Sequence, residues 1–471
     1  MLNPRFRQWP PGTFCSFIGL LFFFSTALTA RQSLPPVEVT LAQAVETSIK
    51  TYPSIRVSQE QLNAASAAIT LARTAYLPRI DALAQFNRAT RNNVFGLLLP
   101  QNVIPSMSGP VIGSNNLGSV WGSAVGGLVT WEPFDFGLRH ANVASAEAAR
   151  AQSDASVRRT QFDVAVSAAD AYLTAVAAEE TVHAALAGVD RAQTLVRTLT
   201  AQVKAELRPG ADQSRAEAEL AAARTQLDQA MQAVDVSRAT LAQFTGADPS
   251  RISMVPGGLT RLPPDIQPTK LNTAMNPVAV EQSAVVEQAR AQLHALERTY
   301  FPRFYLQGAA YARGTGAETN GQRLGGLNGL APNVQDYAIG FSVVFPIMDF
   351  AAIRAREAEQ NAAIRSQAAK SEQLAVELRA QWNRAVASLN GARQIAGNTP
   401  IQVTAARTAT NQATARYQAG LANIDELAEA QRLLTQAEID DVLARLGVWR
   451  GLLGIAAAAG DIQPFVVEAA Q

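Results

Sequence analysis

Three histidines, one cysteine and two glycine-rich stretches are the residues of this 471-residue chain whose types suit metal, thiol or phosphate chemistry. His140, His183 and His294 each stand alone on a helical pattern, without the close spacing a metal site needs. Cys15 lies in an N-terminal apolar run, too early after "GTF" for a lipid-attachment cysteine beside a cleavage site. Once that run is removed the chain has no thiol at all. "GSNNLG" and "GGLNGLAPN" lack the strand–loop–helix context of a phosphate loop. No enzyme, no cofactor and no metal is therefore expected. What remains is charge gathered at two breaks in helical sequence. "RPGAD" (208–212) has Pro209 and Gly210 as breakers, with Arg208, Asp212 and Arg215 around them. "AGLANIDE" (419–426) has Gly420 and Leu421 at the break, Asn423 as an N-cap, and Glu426 and Glu429 behind it. Asn423 and Glu426 have capping-box spacing, and Asp212 suits a helix start, which gives these acids a purely structural reading.

The elements that carry these breaks are written twice. "RTAYLPRID" (73–81) and "ERTYFPRFY" (297–305) are the same joint 224 positions apart, and Pro53 and Pro277 keep that offset. "PFDFGLRHA" and "PIMDFAAIRA" place Asp135 and Asp349 214 apart, and the same 214 sets "AELRPGAD" over "AGLANIDE". Landmarks in unchanged order mean two copies of one unit, expected over 31–248 and 276–460, with a middle segment at 249–275 and a tail at 461–471.

In each copy a Pro-started helix, 53–77 or 277–301, gives way to a period-two stretch. Ile80, Ala82, Ala84 and Phe86 oppose Asp81, Gln85 and Asn87; Phe304, Leu306 and Ala310 oppose Arg303, Gln307 and Tyr311. Loop-like sequence follows, at about 91–119 and 314–336. Strands are expected at about 79–90, 121–134, 303–313 and 337–347. Trp121, Trp131 and Tyr337 suit either an interfacial aromatic girdle or packing within a barrel. Helical hairpins are expected at about 137–247 and 350–459. A helix of about 70 residues reaches on the order of 100 Å, over twice a whole bilayer. Leu220, Leu227, Val234 and Leu241 recur every seven residues, as do Val182, Val189, Val196 and Val203, which predicts coiled-coil seams.

Net charge is +1 and mean hydropathy is near zero, against both a nucleic-acid partner and a polytopic helical membrane protein. Arg5 and Arg7, the apolar run Phe14–Phe24 and "STALTA" read as an export signal over 1–30, with an uncleaved anchor as the alternative. Four strands with an oily face cannot close alone, and open edges in lipid are very costly. Three copies would supply twelve strands, an even number suited to an outer-membrane barrel that the hairpins prolong as an aqueous tube. A non-pore coiled-coil protein of the envelope is the rival reading; the duplicated alternating strands argue against it.

From "LAQAVETSIKTYPSIRVSQEQLNAASAAITLARTAYLPRID" to "RYQAGLANIDELAEAQ", the chain resembles the TolC-like outer-membrane efflux and secretion channels. The resemblance implies a mostly α fold with a trimeric twelve-stranded membrane barrel, a helical periplasmic tunnel, and an equatorial belt made from 249–275 and the tail. It implies an exit duct in the outer membrane that extends into the periplasm, passively conducting substrates handed over by a periplasmic adaptor (membrane fusion protein) and an inner-membrane transporter. Drugs, metal ions, polysaccharides and proteins would all use such a conduit. Motif by motif, the acidic positions of the family's tip constriction fall on Asp212, Glu426 and Glu429, and its aromatic position on Tyr417. Such a ring of carboxylates would favour cations. Two departures stand out: the family's tip-latching arginine is Ala422 here, and its first-copy glycine is Glu206. On charge spacing, Arg208 and Arg215 are expected to pair with Asp212 or with Glu426 and Glu429, and the flexible turn to move to Pro209–Gly210.

Overall fold

The computed structural model describes residues 37–90, 118–206, 208–265, 271–318 and 322–470. The expected export segment with Cys15, and most of the 91–119 loop, lie outside them. Described residues from Val37 onward form one compact unit. The chain opens with a short strand β1 (Val37–Val39), then α1 (Leu41–Thr51) and α2 (Pro53–Thr74). Strands β2 (Arg79–Thr90) and β3 (Ser119–Phe134) precede the first hairpin, α3 (Leu138–Lys204) and α4 (Gly210–Thr245). After β4 (Ile252–Met254) the plan repeats: α5 (Pro277–Glu297), β5 (Arg303–Thr315), β6 (Val334–Val344), α6 (Phe350–Gln418) and α7 (Ile424–Ala459), closed by α8 (Gln463–Ala469).

Local chemistry accounts for the boundaries. Pro53 and Pro277 stand at the first position of α2 and α5, where no backbone N–H is needed. Both helices stop earlier than periodicity predicts, at Thr74 and Glu297, because Pro78 and Pro302 push the residue before them out of helical geometry. Strand β6 begins at Val334, three residues before expectation, and ends at Val344, ahead of Pro346. The 214 offset is kept to the residue at the tips: α3 and α6 end at Lys204 and Gln418, and α4 and α7 begin at Gly210 and Ile424.

Two seams hold the hairpins. On α4, Leu220, Val234 and Leu241 are buried and Leu227 half-buried, as the heptad predicts. On α3 the predicted valines, Val182, Val189, Val196 and Val203, are only half-buried. The buried line runs instead through Ala185, Gly188, Ala192, Leu195 and Leu199. Small residues win there because α7 comes close: a Cβ at Gly188 would sit 2.9 Å from Thr435 Oγ1.

A main core lies at mid-height, where Val39, Leu41, Tyr172, Leu259, Trp449 and Phe465 meet. The Tyr172 hydroxyl lies within hydrogen-bonding reach of the carbonyls of Val39 (3.0 Å) and Val255 (2.7 Å), and Trp449 Nε1 donates to Arg261 O (2.9 Å). This belt draws on the middle segment and the tail, and also on an unforeseen parallel pair, β1 with β4. Above it, α7 and α5 join nearly end to end. Asn276, 1% exposed, accepts from Val278 N with Oδ1 (3.0 Å) and donates from Nδ2 to Ala458 O (3.1 Å). One side chain thus caps two helix ends. Its twin, Tyr52, does this differently, stacking on Phe244 at 5.3 Å and accepting from Gln243.

Candidate functional site

The four-stranded sheet is antiparallel in the order β2–β3–β5–β6, so β2 and β6 are its free edges within one chain. Its register aligns Ile80, Val129, Gly308 and Ile339 in one row, and Ala82, Gly127, Ala310 and Tyr337 in the next. Because strand side chains alternate, these rows share one face with Phe86, Val125, Trp131, Leu306 and Phe341. The face is apolar and open: Tyr337 is 84% exposed and Ile339 79%. A soluble monomer would not keep such a patch bare. Trp121 and Trp131 lie on it ten residues apart along β3. At about 3.3 Å per residue and a tilt of about 40°, that separation is about 25 Å of height, the depth of a barrel's apolar band. Near Trp131, Phe134, Phe136, Phe301 and Phe304 form an aromatic cluster with centroids 4.6–6.0 Å apart.

The opposite face carries Arg79, Asp81, Glu132, Arg303, Arg313 and Asp336. Between the sheet and the first hairpin sits a locked joint. Asp135 Oδ2 accepts from the backbone N (2.7 Å) and Nε (2.9 Å) of Arg139, and Oδ1 accepts from Gly137 N (3.1 Å). Both side chains are buried, and the Arg139 guanidinium also lies 4.8 Å over the Tyr76 ring. Burial pushes the Asp135 carboxyl up, but the N–H donors and the Arg139 charge outweigh it and leave it below the usual carboxylate range. The second copy has Ile353 where the first has Arg139, and Asp349 makes no side-chain cap there.

At the tips, Leu195, Leu199, Ala216, Tyr417, Ile424 and Leu427 pack together, joining the two hairpins. Arg208 reaches from the α3–α4 turn to the end of α6. Its guanidinium lies 4.5 Å over the Tyr417 ring and Nη2 donates to Tyr417 O (2.9 Å). The buried Tyr417 hydroxyl donates to Asp212 Oδ2 at 3.3 Å. Burial, helped by the Asp212 charge, raises the Tyr417 pKa. Arg215 pairs with Asp425 and Glu219, both at 3.2 Å. Glu426 lies 3.4 Å from Arg416, and Glu429 pairs with Arg432 one turn along its own exposed helix face. The expected pairing of Arg208 and Arg215 with Asp212, Glu426 or Glu429 is thus replaced within the chain by other partners. Half of the capping box forms: Asn423 Oδ1 accepts from Glu426 N (2.9 Å) while the Glu426 carboxylate turns to Arg416.

The turn has not moved either. Glu206 keeps the left-handed backbone (φ 59°) that Gly420 (φ 73°) adopts at the equivalent position. Gly210 is simply the first residue of α4, with Pro209 as N-cap. Leu421 is 71% exposed at the other tip, its N–H donating to Arg416 O (2.8 Å).

Residues 44–247 and 274–461 match the family described as outer membrane efflux protein. The chain belongs to that family. Protein CyaE of Bordetella pertussis is 26% identical to it over 433 residues, covering 90% of this chain and 85% of CyaE. The Campylobacter jejuni CmeC outer membrane channel aligns with a TM-score of 0.71 at 14% identity, over 89% of this chain and 85% of that one. The open-state MtrE outer membrane channel of Neisseria gonorrhoeae aligns at 0.67 and 18%, over 89% of each chain. These likenesses give the fold. As an outer membrane efflux protein, the chain resides in the outer membrane and extends into the periplasm by its hairpins.

Sequence reasoning about this efflux protein missed Arg416, Asp425, Glu219 and Arg432, which take the charges the expected pairs would have used. Helical spacing held a signal for two of them: Arg215 and Glu219 are four apart, Glu429 and Arg432 three.

Proposed function

We propose that three copies of this outer membrane efflux protein assemble into a twelve-stranded barrel continued by a helical tunnel. The assembly serves as the passive exit duct of a tripartite efflux or secretion system. Substrate is delivered by an inner-membrane transporter through a periplasmic adaptor that docks at the hairpin tips, around Pro209, Gly210, Gly420 and Leu421. One observation carries the reading: a four-stranded sheet with an open apolar face and two unpaired edges. Edges of that kind are tolerated in lipid only when closed against further strands. A coiled-coil protein without a pore has no use for such a sheet.

The tips are the gate of this duct. Tyr417, Arg208 and Asp212 form one connected cluster that ties the first hairpin to the second. Arg208 stands 214 positions before Ala422, at the same place in the repeat. The cation that the family resemblance puts on the second hairpin is thus supplied by the first. Asp212, Glu426 and Glu429, repeated by threefold symmetry, line the constriction and favour cations.

The test is single-channel conductance of detergent-purified protein in planar bilayers, with the mass measured alongside. A trimer with a small cation-selective conductance that rises when Glu426 and Glu429 are changed to Ala supports duct and gate. A conducting trimer that ignores both changes keeps the duct and returns the glutamates to surface ion pairing. Folded protein that neither inserts nor conducts sinks the reading.

A further inference from the structure

Seven charged residues lie on the four strands of the antiparallel sheet. Six of them pair with opposite charges on its polar face: Arg79 with Asp81, Arg303 with Glu132 and Arg313 with Asp336. Arg88 is the seventh. On β2 it is in step with Phe86 and Ala84, and its register partner is Trp121, so it stands on the apolar face. No carboxylate pairs with it among the described residues, and the sequence holds no Asp or Glu anywhere between Asp81 and Glu132. An arginine on a lipid-facing surface is costly unless its charge reaches the interface or finds an anion. Arg88 is level with Trp121, about 25 Å from the row of Trp131 at about 3.3 Å per residue and a tilt of about 40°. The hairpins leave the sheet at the Trp131 end and extend into the periplasm, so the Arg88 end meets the outer leaflet at headgroup level.

The surroundings of Arg88 prepare it for a ligand. Nε donates to Ser119 Oγ (2.9 Å), and the guanidinium carbon lies 5.2 Å from the centre of the Trp121 ring. These contacts orient the side chain and leave both terminal nitrogens for another acceptor. Such a planar fork of donors fits the oxygens of a phosphate, and the Ser119 hydroxyl, having accepted from Nε, can donate to the same group. The loop after β5 is hydrogen-bonded into this row, Gly316 N to Trp121 O and Leu324 N to Gly316 O at 2.8 Å each. It brings a second exposed arginine, Arg323, to the same rim.

We propose that Arg88, with Ser119 and Trp121, binds a phosphate on the headgroup of an outer-leaflet glycolipid, one site per protomer at the rim of the barrel. The proposal rests on the barrel reading above, which puts this face against lipid. The phosphate supplies the opposite charge that the sequence omits. The acyl chains of the same lipid lie along the apolar rows beneath, on Phe86, Val125 and Tyr337, a contact that a free phosphate lacks.

The test is native mass spectrometry of the full-length trimer in detergent, titrated with lipid A bearing its phosphates or with the same lipid freed of them. The parent should retain the phosphorylated lipid about tenfold or more better, the worth of a hydrogen-bonded contact to a charged group. Arg88→Gln should erase that preference, Arg88→Lys should keep part of it, and Arg323→Gln should only reduce it. Inorganic phosphate at millimolar concentration should leave the lipid in place. Equal retention of the two lipids by the parent overturns the proposal, whether or not the variants assemble. So does an Arg88→Gln trimer that still prefers the phosphorylated lipid, and displacement by inorganic phosphate overturns the lipid as occupant. Folded protein that neither trimerises nor inserts into bilayers overturns the barrel reading itself, and this proposal with it.

Discussion

Arg208→Ala is the change that asks most of the tip geometry. The guanidinium carbon lies 4.5 Å from the centre of the Tyr417 ring, in a half-exposed setting where such contacts contribute about 0.5–1 kcal/mol. It also donates to Tyr417 O at 2.9 Å, and a charged donor on a carbonyl is worth about 1.5–3 kcal/mol net. Against these stands the rotamer freedom that Arg208 loses when held, up to about 2 kcal/mol. The balance is about 2 kcal/mol per protomer, or about 30-fold in the equilibrium between a tied and a released tip. Arg208→Lys keeps the charge but loses the guanidinium over the ring, and should fall between parent and Ala. Two readouts are expected to move together. Mean single-channel conductance should rise, and the amides of Ala419, Gly420 and Leu421, which hold the end of α6, should exchange faster with solvent. An intact trimer whose conductance and exchange at these amides match the parent would falsify the claim that Arg208 ties the hairpins.

Glu206 and Gly420 share a left-handed backbone, a conformation costing a side chain about 1–2 kcal/mol, so Glu206→Gly should stabilise its tip and Gly420→Ala destabilise the other, by about 1 kcal/mol each in chemical denaturation. Equal signs for the two changes would refute that reading. The Asp135 carboxyl is held below its ordinary range, so its stabilisation is complete above the unfolded value near 4 and is lost as pH falls through the lower folded one. Asp135→Asn should cost about 2–4 kcal/mol at neutral pH, by stranding the buried Arg139, and should flatten the acid limb of the stability profile below about pH 4. An unchanged acid limb contradicts it. On the apolar face, Ile339→Arg should cost about 2–4 kcal/mol and suppress insertion, whereas Gln307→Arg on the opposite face should be tolerated. Vesicle co-flotation of the two variants decides it.

Much of this was legible from periodicity. The faces of β2 and β5 follow from Ile80, Ala82, Ala84 and Phe86 against Asp81 and Gln85, and from Phe304, Leu306 and Ala310 against Arg303, Gln307 and Tyr311, since a period of two leaves little freedom. Hairpin tips follow from residues that break helices. Other features carry no local signature. Strands β1 and β4 are three residues each, too short to alternate. The α3 seam is made of Ala and Gly, which a search for Val and Leu at heptad spacing passes over. Charge partners at the tips depend on side chains up to 210 positions apart in sequence, and net charge gives no choice between Asp212 and Asp425 for Arg215. Glu206 is the plainest case. Its residue type argues against a left-handed backbone, yet the register of two packed helices imposes one.

The duplicated unit keeps geometry where it has given up chemistry. At position 206 and 420 the same dihedral is held by Glu and Gly; at 139 and 353 the helix start is packed by a buried ion pair or by isoleucine; at 52 and 276 helix ends are joined by an aromatic stack or by a bridging asparagine. Backbone register is a collective property of long helices packed over many turns, so a single substitution does not move it. Side-chain contacts are local and free to diverge. A duct needs its two hairpins to interleave alike around one tunnel, which constrains the register. It does not need them to be tied alike, and once Arg208 is present on the first hairpin, the equivalent position on the second is free to be Ala422.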